Sequence, residues 1–295
     1  MKLSLVMLIA LGLVATVEAS DEINEQADAD PRGRVEVSNA SSNVNVQGWS
    51  RDEIRITGTL AAGAERLDFI RDGKHTLIKV IHPKSAHHIR SSDLDIRIPE
   101  GSELSVMGVS TDITVEGVHG VQNLQTVSGE IEATVFEADL EARTVSGDVE
   151  IRGHHNATLV TIMTVSGDAD ITDIGGEVEA SAVSGDLTIE ADVLTRVRLR
   201  TTNGDITIQG ALAIGGRLDG ETVNGDVEIM LADISNLSVD VETFNGDIDH
   251  CFDAEVERKS RYGPGRTLRW SRGDADRSVR VKTLNGDVEI CHLNR

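Results

Sequence analysis

The sequence predicts an all-β protein wound as a single-stranded β-solenoid, β-helix-like, with coils of ~20 residues. Three observations lead there. An octet built around Ser-Gly-Asp or Asn-Gly-Asp recurs eight times between residues 126 and 290, centred on Gly129, Gly147, Gly167, Gly185, Gly204, Gly225, Gly246 and Gly286. Successive centres lie 18, 20, 18, 19, 21, 21 and 40 residues apart, the last gap reading as two periods. Apolar and polar residues alternate on both sides of each glycine, the period of strands with one wet face, and helical periodicity is almost absent. A unit this short cannot enclose a core and buries its apolar side only against its neighbours.

Residues 1–19 read as a signal peptide. Lys2 precedes an apolar stretch, and Val17-Glu18-Ala19 supplies a small-residue cleavage pattern, so the mature chain is expected to begin at Ser20. The stretch is short for a membrane span, and no later segment is apolar enough for one. Residues 20–33 are acidic and aperiodic and are expected to form a flexible lead. Residues 34–103 carry longer alternating segments, such as 93–98 (Asp-Leu-Asp-Ile-Arg-Ile), and read as an irregular β region opening the solenoid. The regular solenoid is assigned to 104–250, starting with a degenerate copy that has Thr111 in the glycine slot. Residues 251–295 form a last coil with a basic insert, hairpin-like, that caps the end.

Each column of the octet has a physical job. Glycine serves a corner that asks for positive φ, while the flanking Ser, Asn and Asp can satisfy backbone groups that a turn leaves unpaired. Two and four residues after the glycine stand mostly aliphatic side chains, pointing inward as stacked ladders. One residue after it every copy is acidic, and three after it six of eight are. Stacked in register about 5 Å apart, such carboxylates repel by nearly 1 kcal/mol each even in water. Backbone N–H donors at the corner are one offset. A weakly held calcium ion among Asp148, Asp168, Asp186, Asp205, Asp226 and Asp247 is the other, and no further cofactor is expected.

Net charge is −22, so nucleic acid is not an expected partner. Residues 258–282 run against that balance at +7, and Arg258, Lys259, Arg261, Arg266, Arg269, Trp270 and Arg272 are a candidate patch for an anionic partner, or else part of the end cap. Cys251 and Cys291 each follow a repeat glycine by five residues and are a candidate disulfide in an exported chain. The pairs His87-His88 and His154-His155 have neighbours on opposite strand faces and make poor chelates. Carboxylate pairs follow the repeat, so none stands out as an acid or base, and catalytic residues are not assigned.

The octets at 144–151 (Thr-Val-Ser-Gly-Asp-Val-Glu-Ile) and 283–290 (Thr-Leu-Asn-Gly-Asp-Val-Glu-Ile) resemble the bacterial putative-adhesin family of exported β-strand-repeat proteins of unknown function. The segments at 48–53, 98–102 and 261–263 are similar too. The resemblance runs from about Arg34 onward and implies a cell-envelope role. The expectation is therefore a non-enzymatic exported protein of the periplasm or cell surface, an adhesin or scaffold with an acidic face and a basic C-terminal end. Its partner would be an envelope protein, a glycan or an anionic surface, and it would be a monomer. A self-assembling envelope polymer and a polysaccharide-active enzyme are the alternatives.

Overall fold

The structure, a computed structural model, describes residues 21–61, 63–82, 91–154, 157–259 and 264–293. Among them every regular element is a β-strand, and the fold is all-β and solenoid-like. Each coil places one strand before the glycine corner and one after it, and each set forms its own parallel ladder. Before the corner, Leu140–Arg143 lies between Gln122–Gln125 and Ala157–Met163. After it, Val149–Arg152 lies between Ile131–Thr134 and Ala169–Ser181. Equivalent residues face one another in the second ladder: Val149 pairs with Ala169, Ile151 with Ile171, Leu187 with Ile206 and Ile189 with Ile208. Their side chains are at most 1% exposed and share one continuous core with the first ladder. Burying a β-branched or Leu side chain is worth about 1.5–3 kcal/mol, so stacking itself orders the coils.

Sequence order and stacking order part company at both ends. Gly286 does not lie two coils beyond Gly246. The strands Arg277–Asn285 and Val288–His292 sit between the coil of Gly225 and the coil of Gly246, pairing in parallel with both. The spatial order is therefore Gly225, Gly286, Gly246, and the 40-residue interval is an excursion outward and back. Charge is complementary at this position. Arg280 lies in register between Asp219 and Asp240, and Lys282 between Glu221 and Glu242.

The other end mirrors this. Arg34–Trp49, expected within an irregular sheet, is a full coil. It pairs in parallel with Glu103–Glu116 on one side and with His75–Ile81 and Ser92–Pro99 on the other. Both ends are closed by antiparallel strands. Arg66–Asp72 covers His75–Ile81, Glu53–Leu60 covers Ser92–Pro99, and Arg266–Ser271 covers Leu237–Asn245.

The acidic segment expected to be a flexible lead is also a strand. Asp21–Asp28 pairs antiparallel with Glu53–Leu60 along its whole length. Ile23 is buried while the carboxylates stay in water. One apolar residue and a complete set of backbone bonds suffice because the partner strand presents an open edge. Thr111 holds the glycine slot as expected, with Ser110 paired to Ser128 and its own carbonyl facing Gly129. Strand Glu103–Glu116 runs straight past the corner, and Thr111 is buried with its hydroxyl against Ser42 Oγ at 3.5 Å.

Candidate functional site

The repeated corner is the most regular chemical feature of the molecule. A β-carbon at any of its eight glycines would strike the carbonyl oxygen of the equivalent residue one coil earlier in the stack. Seven of the eight also have φ between +143° and +158°. Close approach of successive coils, as much as backbone conformation, requires glycine here.

The acid after each glycine closes a chain of bonds along the stack. Asp168 N–H donates to Asp148 Oδ1 at 2.8 Å, Asp186 N–H to Asp168 at 2.8 Å, and Asp205 N–H to Asp186 at 2.7 Å. Asp226 N–H continues to Asp205, Asp287 N–H to Asp226, and Asp247 N–H to Asp287, each at 2.7 Å. Asp247 is the outermost, and its carboxylate is taken by the Arg266 guanidinium of the cap. One oxygen of each inner Asp is thus committed to the backbone. Among the described residues no group of three or more His, Cys, Asp or Glu is placed to hold a metal ion. The six aspartates named for calcium form a linear row instead of a multidentate cluster, whereas calcium takes 6–8 oxygens.

Two columns carry information that the sequence reading passed over, and a third, the Ser or Asn before the glycine, bonds differently from the backbone role expected of it. The residue three before the glycine is threonine in seven of eight copies. It points inward and is nearly buried, and in several coils its hydroxyl donates to a neighbouring coil's glycine carbonyl: Thr201 to Gly185 at 3.1 Å, Thr222 to Gly204 at 3.1 Å, Thr243 to Gly286 at 3.0 Å. The residue before the glycine makes a second ladder where it is asparagine, with Asn224, Asn285 and Asn245 each donating a side-chain amide at 2.8 Å. The residue two before the glycine is apolar and points out. Val109, Val127, Val145, Val165, Val183 and Val223 form this row, 39–53% exposed. Leu284 and Phe244 continue it, and Thr202 is its one polar member. The recurrence of all three columns was the available signal.

Three basic side chains of the C-terminal patch are engaged internally. Lys259 Nζ meets Glu242 at 3.1 Å, Arg266 meets Asp247, and Arg269 Nε meets Asp240 at 3.4 Å. Trp270 stacks on Phe252 with ring centroids 4.4 Å apart, fastening the cap strand to the coil. Arg258 pairs through its backbone with Arg266, and Arg272 exchanges backbone bonds with Leu237. Arg261 lies outside the described residues. Cys251 and Cys291 form a disulfide with Cα atoms 5.0 Å apart, joining the outermost coil to the inserted one. His87, His88 and His155 are outside the described residues, while His154 stacks on Phe136 at 4.3 Å.

Charge perturbations are few and local. Hydrogen bonds from Ser235 and Arg277 hold Asp233 down to about 2, with the Arg277 guanidinium 2.5 Å away. The bond from Lys259 lowers Glu242. Burial raises Asp170, opposed by the Thr188 hydroxyl and reinforced by Asp168, Glu150 and Asp148. The first two sit where the C-terminal segment docks, and the third in the middle of the acidic face.

Residues 33–291 match the sequence model of the Toastrack DUF4097 family, and the chain belongs to that family. No curated protein matches it. Solved structures similar to it include a putative adhesin from Bacteroides fragilis, at 14% identity and TM-score 0.40, covering 92% of this chain and 99% of that one. Another is a putative adhesin from Parabacteroides distasonis, at 9% identity and TM-score 0.40, covering 92% and 98%. A putative lipid binding protein from Parabacteroides distasonis is 9% identical with TM-score 0.36, covering 90% and 96%. At these TM-scores the family assignment rests on the sequence match alone.

Proposed function

We propose that this chain is an exported, non-enzymatic envelope protein, a stiff adhesin-like or scaffolding rod whose working surface is the repeated acidic face. The observation that supports this is the uniformity of the corner. Each inner aspartate repeats its neighbour's hydrogen bond, so no two carboxylates of that row acquire the two distinct environments that acid–base chemistry needs. Lys259, Arg266 and Arg269 of the cap meet acids of their own end coil, and the net charge of the chain is −22, so the outward charge of the rod is predominantly negative. A partner would be an envelope protein, a cation-bearing glycan or another surface able to meet spaced carboxylates. Antiparallel strands over both ends oppose growth into an end-to-end polymer.

Export and display are tested together. Mass spectrometry of the protein recovered from fractionated cells should find a mature N-terminus at Ser20 in the periplasmic or surface fraction. Immobilised mature chain should then retain envelope material in a salt-sensitive way, as a carboxylate-dependent contact must. An unprocessed chain in the cytoplasm would sink the proposal. So would hydrolysis of any acidic or neutral glycan in a screen.

A further inference from the structure

Among the described residues the row two before the glycine stays exposed across nine successive coils, and its outermost member, Phe244, borders Arg258 and Arg266 of the cap. Beside the row runs a shallow furrow floored by the buried threonines. One stretch of about 460 Å³ lies along Val127, Val145 and Val165, and another of about 500 Å³ along Val223 and Leu284. At 39–53% exposure the eight apolar side chains offer roughly 500–600 Å² per copy, the upper end of the largest apolar patch that a monomer ordinarily exposes and a size that is often functional.

We infer that this ladder is the interface of a two-fold dimer in which two copies lie side by side, parallel, coil against coil. Three features select a second copy. The first is pitch. Rungs recur at the strand spacing of about 4.8 Å, and a facing copy recurs identically. A helix advances about 5.4 Å per turn and falls half a rung out of step after about four turns. Identical ladders are the surfaces that interdigitate without drift, as in stacked zippers.

The second is area. Doubling the patch and adding the columns on either side brings the buried total to about 1,200 Å², the lower limit for a stable pair.

The third is charge, and it sets the direction. One flank of the ladder is the acidic row one residue after the glycine. The other flank, four residues before the glycine, holds Arg143, Arg200 and Lys282. A two-fold axis along the stack sets these against Asp148, Asp205 and Asp287 of the partner copy at the same coils. An axis across the stack would press the acidic row against itself. Glu221 and Glu242 occupy the basic flank at two other coils, where Arg200 and Lys259 engage them, and Arg143 meets Glu141 of its own strand. The parallel pair therefore requires Arg143 and Arg200 to be shared with the partner copy's Asp148 and Asp205. The net charge of −22 repels at long range, and at 0.15 M salt that repulsion is screened beyond about 8 Å.

The experiment uses the mature chain. Sedimentation velocity from 1 to 200 μM at 0.15 M salt should show a concentration-dependent dimer, and V145K/V165K should be monomeric throughout with its melting midpoint unchanged. Because the described cysteines are disulfide-bonded, single variants V127C, V183C and V223C can be joined by a short thiol cross-linker. In the parallel pair all three link to themselves with similar yield. Cross-linking of V183C alone would mean antiparallel copies and would overturn the proposed geometry. A monomer at every concentration, or a dimer indifferent to the lysines, would overturn the interface. None of these results bears on export or display, so the envelope role stands or falls separately.

Discussion

In the middle of the molecule, from Gln122 to Leu231, the chain climbs one coil at a time and each coil rests on the one made just before it. At the ends it does not. The coil nearest each terminus, Arg34–Trp49 at one end and residues 277–292 at the other, is the penultimate rung, sandwiched between an outer and an inner coil. The segment connecting the outer coil to the penultimate one supplies the antiparallel cap. A repeat can propagate on identical contacts, but it has no built-in stop, and an open parallel edge would template another chain. Inserting a coil frees the connection to fold back over the edge. The middle is held by repetition, and the ends by particular pairs.

If that contrast is right, the largest effect belongs to the disulfide. C251S/C291S removes a cross-link across 40 residues, worth up to about 4 kcal/mol of chain entropy. Hydrogen exchange should speed up in Leu237–Asn245 and Arg277–Asn285 and leave Leu140–Arg143 unchanged. A uniform loss along the rod would erase the distinction between ends and middle.

Gly167→Val comes next. Its side chain would strike Gly147, and a loss of about 3 kcal/mol is expected in denaturant melts. Gly246→Val, on the outermost coil, should cost less because the strand after that corner, Ile248–His250, pairs on one side only and can shift. Equal losses would mean that the corner is not a close-packed stack.

Reversing the inserted coil's charges with R280E/K282E sets like charges opposite one another on both sides, and about 1–2 kcal/mol should be lost from the C-terminal end. High salt should recover part of it. Unchanged stability would show that charge does not guide insertion.

Thr222→Val keeps shape and removes the hydroxyl bond to Gly204, for about 1 kcal/mol in the middle coils. A neutral result would make the threonine column a matter of packing only.

The smallest effect is a pH dependence. Asp233 is depressed to about 2 in the folded chain, so its pairing with Ser235 and Arg277 contributes fully above the ordinary carboxylate value and fades as pH falls toward 2. Asp233→Asn should be less stable than the parent at pH 6, the gap closing in strong acid. A gap independent of pH would assign the effect to packing. Asp170 has the opposite sign: its raised value means stability declines as pH rises through it, and Asp170→Asn should gain slightly at neutral pH.

Much of the middle was legible beforehand. Gly147 and Ile151 recur with their neighbours at fixed offsets, and a recurring column implies a stacked one. The acidic row was legible as a row, yet its hydrogen bonds to the next coil were only one of two readings, because a sequence does not say which oxygen meets which N–H. The threonine and outward valine columns were written in the same octets. Thr222 reads as an ordinary β-branched residue until its hydroxyl is seen on Gly204, and Val145 reads as core until it is seen in water. The strand at Asp21–Asp28 was hidden because its stability resides in the open edge of Glu53–Leu60, to which local composition gives no clue.

Strand, corner and inward face are decided within a few residues, by the alternation of apolar and polar side chains and by a glycine that must lie against another backbone. Those the amino-acid sequence determined alone. Which coil lies on which, and so where the rod ends and what its disulfide joins, was decided only in three dimensions. Near-identical repeats offer near-identical contacts, so a local octet does not say which coil will face which, and pairings such as Arg280 opposite Asp219 and Asp240 exist only once the chain has returned.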